Sequence, residues 1–450
     1  MKELTKGSPW KVILQFAIPL MIGYVCQNFY NLADSKIVSA YVSTKALGAV
    51  GATNDIFTSI IAFLIGMTQG FAIPIAASFG AQNYEKLKKN VAGTIVLTMG
   101  LGTILLILSE LFIEKILHLL GTPQDLMVDA VSYIRIILAG ILFSALYNMC
   151  ANILRGLGDS KTPVICLLIS VFVNIGLDYL FVAILPFGIQ GAAYATIISQ
   201  LLSGVLCLTI IWKKFSVVLL GRAEFSYDGK IYGELLSTGL AMAMMSCIVN
   251  LGSVFLQSAI NTLGSTIVTA HTAARKIFGI LNVILYCVAL AMTTFSSQNM
   301  GAGEYGRIRK GLKQSLLMQT IMTTGLVIFS FLFARPILQW VVSSDNPEII
   351  NASLLYTKIS VVFYYVLGPL LTLRCTLQGI GKKFMPVFTS FVEMALKILS
   401  AAFLVPALGY FGVALTEPIS WVVMTIFLAA AYIKAAKNLK QMEKETPQGN

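Results

Sequence analysis

Two carboxylates set in apolar sequence are the first residues able to do chemistry. Asp34 closes a stripe with Gln27 and Asn31 at i, i+4 and i+7, one face of a helix. Asp178 follows Asn174 by one turn, so this second acid also has an amide beside it. At about 1.5 Å per residue, Asp34 lies roughly 35 Å along its helix from Lys11, and Asp178 about 12 Å short of Pro186. Thr196 falls about one turn into the next apolar run. Tyr133 and Asn148 face inward from the run before, so all of these could meet in one pocket. An unpaired carboxylate at such depth costs about 2.5–3.5 kcal/mol. With no base nearby, two such acids share a proton or bind a cation, and either removes the excess charge. Oxygens of Asp, Asn and Thr suit Na⁺ and a proton network equally well. The competing reading, capped buried polar groups, is weaker because acids inside membrane spans are usually functional.

The elements that must position these residues are membrane helices. The chain of 450 residues is 57% apolar and 12% charged, whereas a soluble domain is nearer a quarter charged. Apolar runs of spanning length predict helices near 11–37, 50–76, 91–113, 128–150, 162–186 and 190–212. A second set follows near 234–259, 272–297, 312–333, 351–376, 385–407 and 412–437. The short alternating strands of a β-barrel are not seen. The expected class is an all-α polytopic membrane protein of 12 transmembrane helices in two pseudo-symmetric six-helix bundles around a central cleft.

The two sets are one unit repeated. Gly80-Ala81-Gln82-Asn83-Tyr84 returns as Gly301-Ala302-Gly303-Glu304-Tyr305, an offset of 221. Leu154-Arg155-Gly156-Leu157-Gly158 returns as Leu377-Gln378-Gly379-Ile380-Gly381 at 223, and Gly188 to Ala193 returns as Gly409 to Ala414 at 221. A duplicated six-helix unit has parallel repeats and usually binds its substrate between them. The expected organisation is a bundle over 1–212, a polar linker over 213–233, a second bundle over 234–437 and a polar tail over 438–450.

A net charge of +12 would suit nucleic acid if it were spread over a soluble surface, but its distribution is that of an inserted chain. Lys6, Lys88, Lys89, Arg155, Lys213, Lys214, Arg309, Lys310, Lys382 and Lys383 fall on one set of connections. The opposite set is read to hold Lys45, Lys115 and Arg335. Positive residues stay inside, so both termini are expected in the cytoplasm, in a multi-pass protein of the cell membrane. The lipid bilayer is then a partner and nucleic acid is not. No cleavable signal is read at the start. The seven cysteines all fall in predicted helices and read as small buried residues. No Walker sequence and no His-rich or Ser/His constellation occurs, so neither nucleotide hydrolysis nor an enzyme is expected, and no cofactor.

The ordered motifs resemble the multidrug and toxic compound extrusion (MATE) family over essentially the whole chain. The Gly80 to Tyr84 turn is similar to its Gly-x-x-x-x-Tyr signature and does not fit the acidic-basic loop of the major facilitator family. Asn31-Leu32-Ala33-Asp34, Leu154 to Asp159, Asn174-Ile175-Gly176-Leu177-Asp178-Tyr179 and Gly191 to Thr196 resemble it as well. The resemblance implies an exporter of drug-like molecules driven by inward flow of H⁺ or Na⁺. It places a cation site at Asp34, Asn174, Asp178 and Thr196, with Tyr133 and Asn148 nearby. Lys36 departs from the family pattern, which is usually apolar there.

The second half differs. One branch of the family uses acids in its seventh and tenth helices. Here the seventh offers Ser246, Asn250, Ser253 and Gln257, a neutral stripe, and the tenth offers Tyr364 and Tyr365. These either line the substrate path or bond to neighbouring helices. Glu417, at the repeat position of Thr196, is expected to cap a helix or to contact a cationic substrate. Glu393 and Lys397, at i and i+4, are expected to neutralise each other. His271 reads as a surface residue, and Arg275 and Lys276 carry no assigned role. Pro19, inside the first helix, is a candidate hinge.

These residues point to a monomeric secondary antiporter that exports amphipathic, cationic small molecules by alternating access. A flippase for lipid-linked sugars, from the same fold superfamily, is the alternative. Such flippases prefer a strongly cationic cavity, whereas Asp34 and Asp178 have no obvious basic partners.

Overall fold

The computed structural model describes residues 3–41, 44–119, 122–185, 187–342 and 346–445; within these, the side chains of 29–40, 44–47, 49, 52, 55 and 125 lie outside the description. Among the described residues every regular element is helical. The first half holds α1 (Pro9–Tyr41), α2 (Thr44–Gly80), α3 (Tyr84–Leu119), α4 (Gln124–Ala139), α5 (Ile141–Gly156), α6 (Lys161–Asp178) and α7 (Gly188–Lys214). The second holds α8 (Gly229–Asn261), α9 (Ser265–Gly301), α10 (Tyr305–Val342), α11 (Pro347–Val362), α12 (Tyr364–Gly379), α13 (Phe384–Leu399), α14 (Val405–Leu408) and α15 (Tyr410–Glu445).

Ten of these stretches are long and apolar enough to cross a membrane, and each bent pair, α4–α5 at 41° and α11–α12 at 52°, adds one more span for twelve. A tertiary contact marks one bend and a proline the other. Gly140 separates α4 from α5, and a Cβ there would sit 2.2 Å from Ile197 Cγ2, so only glycine admits α7 so closely. Pro369 lies inside α12. Its missing N–H and its ring act on the carbonyl four residues back, that of Tyr365, next to the break at Phe363.

The duplication is visible in the backbone. Gln82 and Gly303 both take left-handed φ, 55° and 74°. Gly158 and Gly381 do so at 86° and 78°, and Gly188 and Gly409 at 55° and 59°. Each pair holds equivalent turns in the two repeats. The fifth and eleventh spans also carry matching π-helical turns, Tyr179–Ile184 after α6 and Ser400–Leu404 after α13.

The chain forms two compact units, one of Ile22–Ala243 and one of Glu3–Met21 with Met244–Asn450. In the first, α2 packs on α5, α5 on α7 and α6 on α7. Ile75, Phe79, Leu87, Met149 and Phe215 fill one core, and Ile113, Ile134 and Leu138 another. The start of α8 closes on α2 in this unit, where a Cβ on Gly70 would lie 2.5 Å from the Thr238 carbonyl oxygen. In the second, α9 packs on α10, α11 and α12, and α15 on α12 and α13. Leu256, Tyr356, Val405 and Val413 form its core. The segment before α1 is fastened into this second unit. The Leu4 N–H donates to Gln298 Oε1 at 2.9 Å, and the Arg307 Nη1 donates to the Gly7 carbonyl at 2.9 Å.

Candidate functional site

Asp178 is the last residue of α6 and is 0% exposed. It stands where the α-helix gives way to the π-helical turn, and such bulges frequently sit at functional positions. Asn174, one turn earlier, is 2% exposed. Among the described residues neither atom of its amide has a hydrogen-bond partner. A buried amide is costly unless its hydrogen-bonding groups are satisfied.

The neighbouring helices bring further oxygens. Thr196 on α7 donates its hydroxyl hydrogen to the Ala192 carbonyl at 3.0 Å, which leaves the oxygen as an acceptor. Asn148 on α5 donates its amide hydrogen to the Ser144 carbonyl at 2.9 Å, which leaves its Oδ1 likewise. The helices carrying Asn148, Asn174 with Asp178, and Thr196 pack on one another. Polar contacts tie them. The Tyr147 hydroxyl donates to the Pro163 carbonyl at 3.4 Å, and Ser144 bonds Gln200. Tyr133, on α4, is half-buried against the core of Ile113, Ile134 and Leu138.

On α1, Gln27 is exposed, and Pro19 lies inside the helix two residues before the boundary of the units. Asn31, Asp34 and Lys36 belong to α1, and their side chains lie outside the described residues.

In the second unit the neutral stripe of α8 diverges. Asn250 is half-buried. Ser253 donates back to the Val249 carbonyl at 3.1 Å and accepts from Lys397 Nζ at 3.1 Å. Gln257 is exposed and donates to Asn261 Oδ1 at 2.9 Å. The two tyrosines point apart. Tyr364 is 1% exposed and donates to the Phe278 carbonyl at 3.3 Å, whereas Tyr365 is 42% exposed and bonds Thr324 Oγ1 at 2.8 Å. Of this pair, only Tyr364 reaches the aromatic group formed with Phe278 and Trp421.

Several charges in this unit meet one another. Glu393 and Lys397 meet at 2.9 Å, as their spacing predicts. Glu417, in the interior of α15, accepts from Arg275 Nη1 at 2.9 Å. That partner was hidden because the two residues are 142 positions apart. Arg374, 3.7 Å from Glu393, stands on the preceding helix, so no helical spacing links the two. His271 corrects the expectation of a surface residue. It is 6% exposed, edge-on to Tyr356 at 5.0 Å, with the Tyr410 hydroxyl 3.4 Å from its Nδ1. The eighth helix starts at Ser265 rather than near 272, which carries His271 onto the face of α9 that buries Ala270 and Ala274.

The MatE family model matches residues 19–180 and again residues 241–403, once in each repeat. The probable multidrug resistance protein YoeA of Bacillus subtilis (strain 168) is 27% identical over 396 residues, 86% of this chain and 85% of that one. The probable multidrug resistance protein NorM of Thermotoga maritima is 27% identical over 405 residues, 87% of this chain and 85% of that one. A MATE crystallised in complex with MaL6 matches with a TM-score of 0.90 at 25% identity, covering 98% of this chain and 99% of that one.

Proposed function

Because the chain belongs to the MatE family, we propose that it is a secondary antiporter that exports amphipathic small molecules, lipophilic cations among them, in exchange for H⁺ or Na⁺. The observation that carries this reading is the buried Asp178 with the Asn174 amide one turn below it. An ionised carboxylate inside an apolar span is unfavourable by about 2.5–3.5 kcal/mol, and a proton or a sodium ion relieves it. Occupancy is therefore set by the ion concentration on whichever side the site faces. A transporter whose conformations differ in this occupancy converts an ion gradient into export.

In this reading Asp34 on α1 is the second carboxylate of the site and Thr196 a neutral oxygen ligand, with Asn148 nearby. Hard oxygen ligands suit Na⁺, and the same oxygens pass hydrogen bonds when a proton is the coupling ion. The proline of α1 lets the helix bearing Asp34 bend as the site changes charge. Names of the relatives support drug export over flipping of lipid-linked sugars. The charge pattern supports cytoplasmic termini and insertion in the cell membrane.

The test is purified protein in sealed vesicles with ethidium as the probe. Dye movement that follows an imposed proton or sodium gradient supports antiport. Movement indifferent to both gradients, with translocation of a lipid-linked sugar, supports the flippase instead.

A further inference from the structure

The second unit holds more positive charge than its acids neutralise. Arg275 on α9, Arg374 on α12 and Lys397 on α13 share two carboxylates, Glu393 and Glu417. Lys397 Nζ is 2.9 Å from Glu393 and 4.0 Å from Glu417, and its side chain is 3% exposed. Arg374 is 11% exposed and faces Glu393 at 3.7 Å. Each of these four residues lies within ion-pair distance of another and is largely buried, although Arg374 Nε and Nη2 make no hydrogen bond among the described residues.

Arg275 is different. Its side chain is 41% exposed, although it sits well inside a membrane-spanning helix. Of its five donors, Nη1 is directed to Glu417 at 2.9 Å and to the Tyr356 hydroxyl at 3.5 Å. Among the described residues no hydrogen bond uses Nε or Nη2. The guanidinium lies 4.8 Å from the Phe278 ring, which stacks on Trp421 at 6.0 Å with 17° between planes. A half-open guanidinium fork on an aromatic shelf suits an oxyanion attached to an apolar body.

We propose that Arg275 recognises a carboxylate or phosphate group carried by an amphiphilic solute, a substrate class distinct from lipophilic cations. The inference rests on the chain being an exporter of small amphiphiles and deepens that reading. Three bases against two acids leave one positive charge in an apolar span, and the ligand's anion neutralises it. Glu417 occupies one edge of the fork and competes with the ligand, so the two residues have opposite effects on anion binding.

The test uses full-length protein in nanodiscs of neutral phosphatidylcholine, with fluorescein as the anionic probe and ethidium as the cationic one, read by fluorescence polarisation. Fluorescein should bind the unaltered protein. Arg275→Gln should weaken it about ten- to hundredfold, the effect of losing a charge-assisted pair, without weakening ethidium. Glu417→Gln should tighten fluorescein. The double variant, with both charges gone, controls for damage to the fold, and its fluorescein affinity should match that of Arg275→Gln. No fluorescein binding, equal losses in both single variants, or recovery in the double variant overturns the proposal. Displacement of fluorescein by added phosphatidylglycerol also overturns it, because the site then belongs to a lipid headgroup. Since binding is read with no gradient, a failure here leaves ion coupling standing, and a failure of ion coupling leaves this result standing.

Discussion

Arg275 donates to Glu417 across 2.9 Å, joining α9 to α15 at the position where the first repeat has Thr196. The second repeat therefore places an ion pair where the first places a hydroxyl.

Removing either partner of this pair strands a charge. Arg275→Gln and Glu417→Gln should each lower stability by about 1–3 kcal/mol, less than for a fully buried pair because Arg275 is partly open. The double variant should recover part of the loss. Thermal unfolding of the detergent-solubilised protein reads this, and unaltered melting in both single variants contradicts it.

Close contact of α2 with the start of α8 depends on having no side chain at Gly70, which abuts the Thr238 carbonyl. Gly70→Val should force the helices apart and reduce the yield of folded protein severalfold. Size-exclusion of a fluorescent fusion measures this, and a wild-type yield of monodisperse protein excludes the packing described.

The basic connections predict the orientation. In a background without native cysteines, cysteine placed at Lys88 or Lys310 should resist an impermeant thiol reagent in intact cells, and cysteine at Thr122 should react. External labelling at the first two positions reverses the topology.

Sequence made much of this architecture legible. Hydropathy located twelve spans, and the returning turn at Gln82 and Gly303 revealed the duplication that their shared left-handed backbone bears out. Local pairing was legible too: Glu393 and Lys397 stand one helical turn apart and meet. What escaped was set by tertiary contact. Gly140 breaks a span because Ile197 comes close from another helix, and nothing adjacent to it in sequence records that. The pairing of Glu417 with Arg275 is not legible because the two stand on different helices, 142 positions apart. Hydropathy begins this span near 272 and leaves His271 in a connection, whereas α9 begins at Ser265 and buries it. Asp178 and Asn174 stood out because carboxylate and amide are rare in apolar runs, and their burial agrees with that signal. The π-helical turn after them has no such mark in the sequence.

Export itself is predicted to be visible in cells. Expression in a pump-deficient host should lower ethidium accumulation, and substitutions on the α8 stripe such as Asn250→Ala should change which dyes are exported. Equal dye accumulation with and without the protein contradicts the assignment of lipophilic cations as substrates.

The central claim is that the driving ion acts on the carboxylates of α1 and α6. It is tested most directly by gradient-driven ethidium transport in vesicles carrying Asp178→Asn or Asp34→Asn. Asparagine keeps the shape and the hydrogen bonding but neither releases a proton nor neutralises Na⁺. Each variant, folded and inserted, should lose the response to an imposed proton or sodium gradient, and Asn174→Ala or Thr196→Ala should weaken it less. Retention of gradient-driven transport by both asparagine variants, together with its loss in Glu417→Gln, would put the driving ion in the second unit and contradict the account.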